Sequence, residues 1–205
     1  FCHPAIMELL SFLRLKYPSA PIQITTNGTF LTRERIKILS NLGLVELYLS
    51  LNSVTERGRK KLMPGTGRVD TRLLVDLAEL DLPYHGSLVA MPWLVGWDDL
   101  TTTIQTLDKY KAKTIRIFMP GYSHLTPDFL RFPHDLREKL NTFIRQMRRK
   151  VKTPLILEPP VLQDLQAEVA GVIPNSPAHL SGVQTGDMIL EVNGESVFSR
   201  VDAFR

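Results

Sequence analysis

The sequence predicts an α/β protein in which a parallel sheet is wound into a barrel or half-barrel and a small, mainly β unit follows. Two patterns predict it. Residues 22–26, 45–51, 84–91 and 114–119 have strand composition, and the stretches between them carry apolar residues at helical spacing, the alternation that builds a parallel sheet. After Pro159-Pro160 helical periodicity gives way to short strands and dense turn signals. Ligands of such sheets lie at the carboxyl ends of the strands. Chemistry is therefore expected around Thr26-Asn27-Gly28, Ser50-Leu51-Asn52-Ser53, Met91-Pro92 and Met119-Pro120.

Ile6, Leu9, Leu10 and Leu13 after Pro4 predict an amphipathic helix over 4–17, stopped by Pro18 and Pro21. A strand over 22–26 runs into an Asn27-Gly28 turn. The next helix starts at Thr32, turns Ile36, Leu39 and Leu42 toward the sheet and ends at Gly43. Strand 45–51 is followed by a polar helix over 55–62, which Pro64-Gly65-Thr66-Gly67 breaks. Leu73, Leu74, Leu77 and Leu80 form the stripe of a helix over 70–80, and Pro83 returns the chain to strand 84–91. Asp98 is placed to cap a helix with Leu100, Ile104 and Leu107 on one face, which leads into strand 114–119. A helix from His134 buries Leu136, Leu140, Phe143, Ile144 and Met147, and 154–158 reads as a final strand. The change of texture places a domain boundary near 153, dividing the chain into 1–152 and 153–205. In the second part Ser176-Pro177 starts a short helix that Gly182 ends, and 188–198 spell a hairpin around Asn193-Gly194.

Composition narrows the function. With 43% hydrophobic and 22% charged residues among 205, the chain has ordinary globular make-up and enough length for one domain plus a small second one. No apolar run reaches the roughly 20 residues that cross a bilayer, and the start lacks a basic region followed by an apolar stretch, so a cytoplasmic protein is expected. Cys2, the one cysteine, excludes an intrachain disulfide and a multi-thiolate metal site made by these residues alone. The first residue is Phe1 and the last three are Ala203-Phe204-Arg205, which suggests a fragment cut at both ends. The net charge is +4, and the densest basic run, 145–152, ends a predicted helix whose dipole it complements. No aromatic residues interleave with it for base stacking, which argues against nucleic acid.

Phe1-Cys2-His3-Pro4, Thr25-Thr26-Asn27-Gly28, Ser50-Leu51-Asn52-Ser53 and Ile115-Arg116-Ile117-Phe118-Met119-Pro120 fall in the order of four motifs of the radical SAM superfamily. They resemble the tail of its Gly-Gly-Glu-Pro segment, its third-strand end, its fourth-strand Ser-x-Asp-Ser pattern and its sixth strand. The likeness covers about 1–150 and is closest to the branch of the molybdenum-cofactor cyclase and peptide-maturing enzymes. It implies a partial barrel, strands three to six here, that binds S-adenosylmethionine (SAM) beside a [4Fe-4S] cluster. Reductive cleavage of SAM to methionine and a 5′-deoxyadenosyl radical, acting on a small-molecule or peptide substrate with an electron donor such as ferredoxin or flavodoxin, is then the expected activity. The family's three-cysteine loop would precede Phe1, so these residues are expected to be inactive alone; Cys2 reads as a small buried side chain, and no metal ligand or catalytic residue is assigned.

By resemblance Ser50 holds the methionine end of SAM, Asn52 or Ser53 the ribose, and Met119 with its backbone the adenine; Thr26, Asn27 and Met91 complete the cofactor set. Asn52 replaces a frequent aspartate, keeping a hydrogen-bonding group and losing the charge. A cap for the following helix is the alternative for 50–53, and a plain turn the alternative for Asn27-Gly28. Trp93 and Trp97 form either an apolar wall near the reaction centre or lid packing. His3, His85, His124, His134 and His179 show no ligand spacing, and His85 begins a strand, away from the expected site. Tyr122 and His124 follow the sixth strand and are the candidates for substrate contact or proton transfer.

Ser176-Pro177-Ala178, Gly186-Asp187 and Val192-Asn193-Gly194 occur in the order and spacing of bacterial PDZ domains. The resemblance implies capture of a peptide terminus as an added strand, or a rigid attachment. The second helix of such a groove only begins at 201–205. The alternative to the enzyme is a non-catalytic peptide-binding adaptor with a degenerate barrel and a PDZ module.

Overall fold

Residues 1, 3–63, 71–160 and 164–204 are described by the structure, a computed structural model. Cys2, the 64–67 break and the helix start at 70 lie outside the described residues. The chain runs α1 (Ile6–Lys16), β1 (Ile22–Thr26), α2 (Arg33–Leu42), β2 (Val45–Ser50), α3 (Glu56–Leu62), α4 (Arg72–Glu79), β3 (Tyr84–Val89), α5 (Pro92–Val95), α6 (Trp97–Lys109), β4 (Ile115–Phe118), α7 (Leu136–Arg148) and β5 (Leu155–Glu158). The five strands pair in parallel in chain order. Thr32 caps α2 by accepting from the Arg35 N–H, and Gly43 ends it at φ 67°.

Strand order that never reverses, combined with right-handed crossovers, puts every connecting helix on one face of the sheet. Burial along the strands follows from this. Val45, Leu47, Leu49 and Leu51, then Leu88, Ile115, Ile117 and Leu155, are closed off against Ile36, Leu39, Leu74, Leu77, Ile104, Leu107, Leu140 and Ile144 of the helices. The alternate residues, Glu46, Tyr48, Ser50, His85, Ser87, Arg116, Phe118 and Glu158, are half-buried and occupy the face without helices.

Three local expectations are revised. Asp98 does not cap its helix: a single helical turn, α5, ends at Gly96, whose φ of 95° suits glycine, and α6 starts at once, leaving Asp98 inside its first turn. β5, the final strand expected over 154–158, is hydrogen-bonded to β4, so the sheet continues past the domain boundary expected near 153. Asp202–Phe204 form a short 3₁₀ turn where the start of a helix was expected.

The C-terminal part holds α8 (Pro177–Leu180), whose preceding Ser176 accepts from the His179 N–H at 3.2 Å. β6 (Glu191–Val192) and β7 (Glu195–Ser196) form the expected hairpin, shorter than the sequence pattern. Asn193 and Gly194 both have positive φ, 52° and 84°, as the tight turn between twisted antiparallel strands requires. An isolated antiparallel bridge joins Glu168 to Met188. Among the described residues no helix is long and apolar enough to cross a membrane.

Candidate functional site

The open face of the sheet is a polar surface arranged in rows set by the strand register. Thr25, Tyr48 and His85 form one row, and Ser50, Ser87, Arg116 and Ile156 the next toward the carboxyl ends. Beyond that Asn52 stands beside Val89, Phe118 and Glu158. The Ser50 and Ser87 hydroxyl oxygens are 3.4 Å apart. Asn52 Oδ1 accepts from the Val89 N–H at 2.9 Å, which fixes the amide across the strand end and leaves its NH₂ as a donor.

Charge is concentrated at two places on this face. Near the strand starts Lys113 donates to Glu46, and this ammonium holds the Glu46 carboxyl below its ordinary range. His85 stacks on Tyr48 at 4.8 Å with Nδ1 2.7 Å from Thr114 Oγ1, and burial, outweighing the pull of Glu46, lowers its pKa. Toward the carboxyl ends Arg116 Nη2 donates to Glu158 Oε1 at 3.0 Å, with the guanidinium 5.1 Å from the centre of the Phe118 ring.

The residues named from sequence separate into two groups. Ser50 and Asn52 belong to the open face. Ser53 is fully buried and donates to Asp99 Oδ1 at 2.9 Å, while Thr55 caps α3 by accepting from Gly58 N–H, so this end of the segment takes the structural role. Thr26 shares the parity of Ile22 and Ile24, which pack on the core, and its hydroxyl accepts from Gly28 N–H at 3.1 Å; Thr25, opposite Tyr48, is the threonine on the open face. Asn27 makes a turn, Oδ1 accepting from Thr29 N–H, and Gly28 has φ 80° with Leu73 Cδ2 only 2.5 Å from where a Cβ would stand. Met119 packs against the helix-side core, and half-buried Met91 precedes α5. Trp93 Nε1 donates to the Phe129 carbonyl at 3.2 Å, tying α5 to the loop after β4; Trp97 lies against Phe143 of α7, so the two tryptophans do not form one wall. Tyr122 and His124 stand exposed on that loop, Tyr122 edge-on to Phe132.

Ser87, Tyr48, His85, Arg116 and Glu158 complete the face and were missed as site residues. The signal for them is strict alternation: Glu46-Leu47-Tyr48-Leu49-Ser50-Leu51-Asn52 puts a polar or amphipathic side chain at every second position of a strand otherwise made of leucine.

The arrangement is that of an α/β half-barrel with one polar, helix-free face. The profile described as the radical SAM superfamily matches residues 1–128, and that of a PDZ domain matches 168–205. The chain belongs to the radical SAM superfamily. No curated protein matches it. Similar solved structures include Streptococcus suis SuiB bound to S-adenosylmethionine, 15% identical with TM-score 0.57 over 76% of this chain and 35% of that one. SuiB bound to precursor peptide SuiA is 17% identical with TM-score 0.55 over 74% and 34%. Native anSMEcpe with bound AdoMet and Kp18Cys peptide is 14% identical with TM-score 0.54 over 90% and 46%. The chain thus spans about a third of SuiB and under half of anSMEcpe, and at these identities the likeness is one of fold.

Proposed function

We propose that these residues form the SAM- and substrate-facing part of a radical SAM enzyme, the boundary expected at 153 moving past β5 so that the core runs to Glu158 and a PDZ-like attachment follows. The observation that carries it is the pair of hydroxyls, Ser50 and Ser87, beside the Asn52 amide on the open face at the strand ends. The donor set fits the cofactor: short hydroxyls suit the carboxylate and ammonium of its methionine part, and an amide NH₂ suits a ribose hydroxyl. Asn27, Met91 and the backbone at Met119 border the adenine in this reading, Thr26 steadies the turn beneath it, and buried Ser53 supports the segment from below. When bound and reduced by one electron, SAM supplies the 5′-deoxyadenosyl group that removes hydrogen from a substrate. The chain's work is to orient the cofactor and keep water from the sheet face.

The [4Fe-4S] cluster does not fit these residues. The sequence has one cysteine, and the described residues hold no group of three His, Cys, Asp or Glu with ligating geometry. In this reading the ligands of such a cluster would be supplied by residues other than these 205. A peptide substrate is supported by two of the similar structures, SuiB with its precursor peptide and anSMEcpe with Kp18Cys peptide, and by the PDZ match. A ferredoxin- or flavodoxin-type donor and a cytoplasmic setting complete the reading.

Calorimetric titration of SAM into the chain tests it. Ser50→Ala should weaken binding about tenfold through loss of a hydrogen bond to a charged group. A chain extended to include the cluster cysteines should release 5′-deoxyadenosine under a low-potential reductant. No SAM binding by the folded chain and no product from the extended one would favour the adaptor.

A further inference from the structure

From the Arg116–Glu158 pair we infer that the half of the open face on β4 and β5 is the substrate subsite, and that it takes a carboxylate-bearing peptide side chain. This deepens the reading above and rests on it. The pair stands on the same face as Ser50 and Ser87, with Arg116 the direct cross-strand neighbour of Ser87. Adjacent strands are about 4.8 Å apart, so Arg116 lies one strand from Ser87, at the edge of the residues assigned to SAM, and two strands, roughly 10 Å, from Ser50 on β2. That separation places a second ligand beside the first on one surface.

The two charges are not there for the core. Their side chains are 38% and 27% exposed, and an ion pair so open to solvent adds little to stability. Arg116 is instead held in position. Its guanidinium lies over Phe118 at 5.1 Å while Nη2 donates to Glu158 Oε1. Of its five N–H donors, the described residues accept this one hydrogen bond, so the fork keeps donors for a ligand.

The charge around the fork selects the ligand. Glu158 offsets Arg116, and Lys113, near the strand starts, is committed to Glu46. The field at the pair is close to neutral and disfavours a phosphate dianion, whereas a single planar carboxylate matches two parallel guanidinium N–H groups. Glu158 Oε1 remains an acceptor for a peptide N–H beside that carboxylate. Ile156, next to Arg116 in the row, and Phe118 supply apolar surface for the side chain's methylene groups.

The test uses the full chain with uniform ¹⁵N labelling and reads the Arg116 Nε–Hε resonance, assigned through Arg116→Lys. Three probes separate the chemistry: acetyl-Ala-Glu-Ala-amide, its Gln counterpart as a neutral control, and acetyl-Ala-Gln-Ala with a free carboxyl terminus. The expected result is a saturable shift with the Glu peptide, absent with the neutral one, and about tenfold weaker binding in Arg116→Lys, read there from the backbone amides of Ser87 and Ile156, the register neighbours of position 116. Glu158→Gln, which keeps shape and hydrogen bonding, should retain or tighten the response. A shift by the free-terminus peptide alone overturns the side-chain assignment, and none with any probe in the wild-type protein overturns the subsite. SAM is titrated separately while the Ser50 and Asn52 amides are followed. If SAM itself moves Arg116 Nε–Hε and blocks the peptide, Arg116 belongs to the cofactor's site and the inference fails. If SAM moves no β2 amide while the Glu peptide still moves Arg116, the proposed function fails and the substrate role falls with it.

Discussion

At the scale of single residues, the tightest constraint beside the proposed site is Gly58. A Cβ there would stand 2.2 Å from Ser53 Oγ and 2.5 Å from Asp99 Oδ1, both members of the buried network that anchors the β2–α3 connection. Alanine is the better helix former by about 1 kcal/mol, but the overlap forces the network apart, and overpacking of this kind costs roughly 1–3 kcal/mol. Gly58→Ala should therefore lower stability in urea titration and weaken SAM binding, since Asn52 sits next to the displaced Ser53. His85 gives a second expectation. Its pKa is lowered below 6.5, first by burial, so the unfolded chain takes up the proton earlier as pH falls and the folded state loses stability. Glu46, lowered chiefly by its hydrogen bond from Lys113, adds loss in the same direction at more acid pH, through the carboxylate range below 4.5. The urea midpoint should fall between about pH 7.5 and 5.5, and His85→Gln should flatten that fall; a midpoint independent of pH there would contradict the assignment. Ser50 and Asn52 were legible because they end a strand. Ser53 and Asp99 were not: their bond spans 46 positions, and no local pattern announces which buried carboxylate a serine will meet.

At the scale of elements, the longer helices and the sheet strands were legible from period, and the caps at Thr32, Gly43 and Ser176 from residue type, whereas the single-turn α5 was not. Asp98 misled because a good capping residue near a helix start is only one of two signals, and Gly96, able to take φ 95°, set the start earlier. What the local pattern omits is the joining of elements, and Arg14 is the clearest case. From α1 its guanidinium donates to the carbonyls of Tyr17, Pro18 and Ala20 in the loop before β1, and to Leu42 and Gly43 at the end of α2. One planar fork thus satisfies carbonyls on both sides of the entry to β1. A lysine has the charge and not the fork. Arg14→Lys should cost about 1–2 kcal/mol, read as a lower urea midpoint with an unchanged slope; an equal midpoint would mean that water replaces the fork at no cost.

Across the whole molecule, one topological fact connects fold and function: strands in chain order put all the helices on one face and leave the other polar. The apolar side of that division was readable from leucine and isoleucine stripes, whereas the polar side needed the register that aligns Ser50, Ser87 and Arg116 in one row. The C-terminal part is built differently. Its β6 and β7 have two residues each, all four exposed, and Leu190 and Phe198 beside them are 73% and 88% exposed. A two-stranded hairpin with so little buried surface is marginal by itself, while β2, β3 and β4 are each paired on both sides over a closed core. Opening free energies should differ accordingly. In hydrogen exchange, amides of Leu47, Leu49, Leu88 and Ile117 should form the slowest class. Those of Val192 and Val197 should exchange at least about a hundredfold faster, which corresponds to some 2.7 kcal/mol. A peptide that pairs with this part by strand addition would close the gap by protecting the hairpin without slowing the sheet. Protection of the hairpin equal to that of the sheet in the free chain would instead mean that the two parts open together, and the C-terminal unit would then be a rigid extension of the half-barrel.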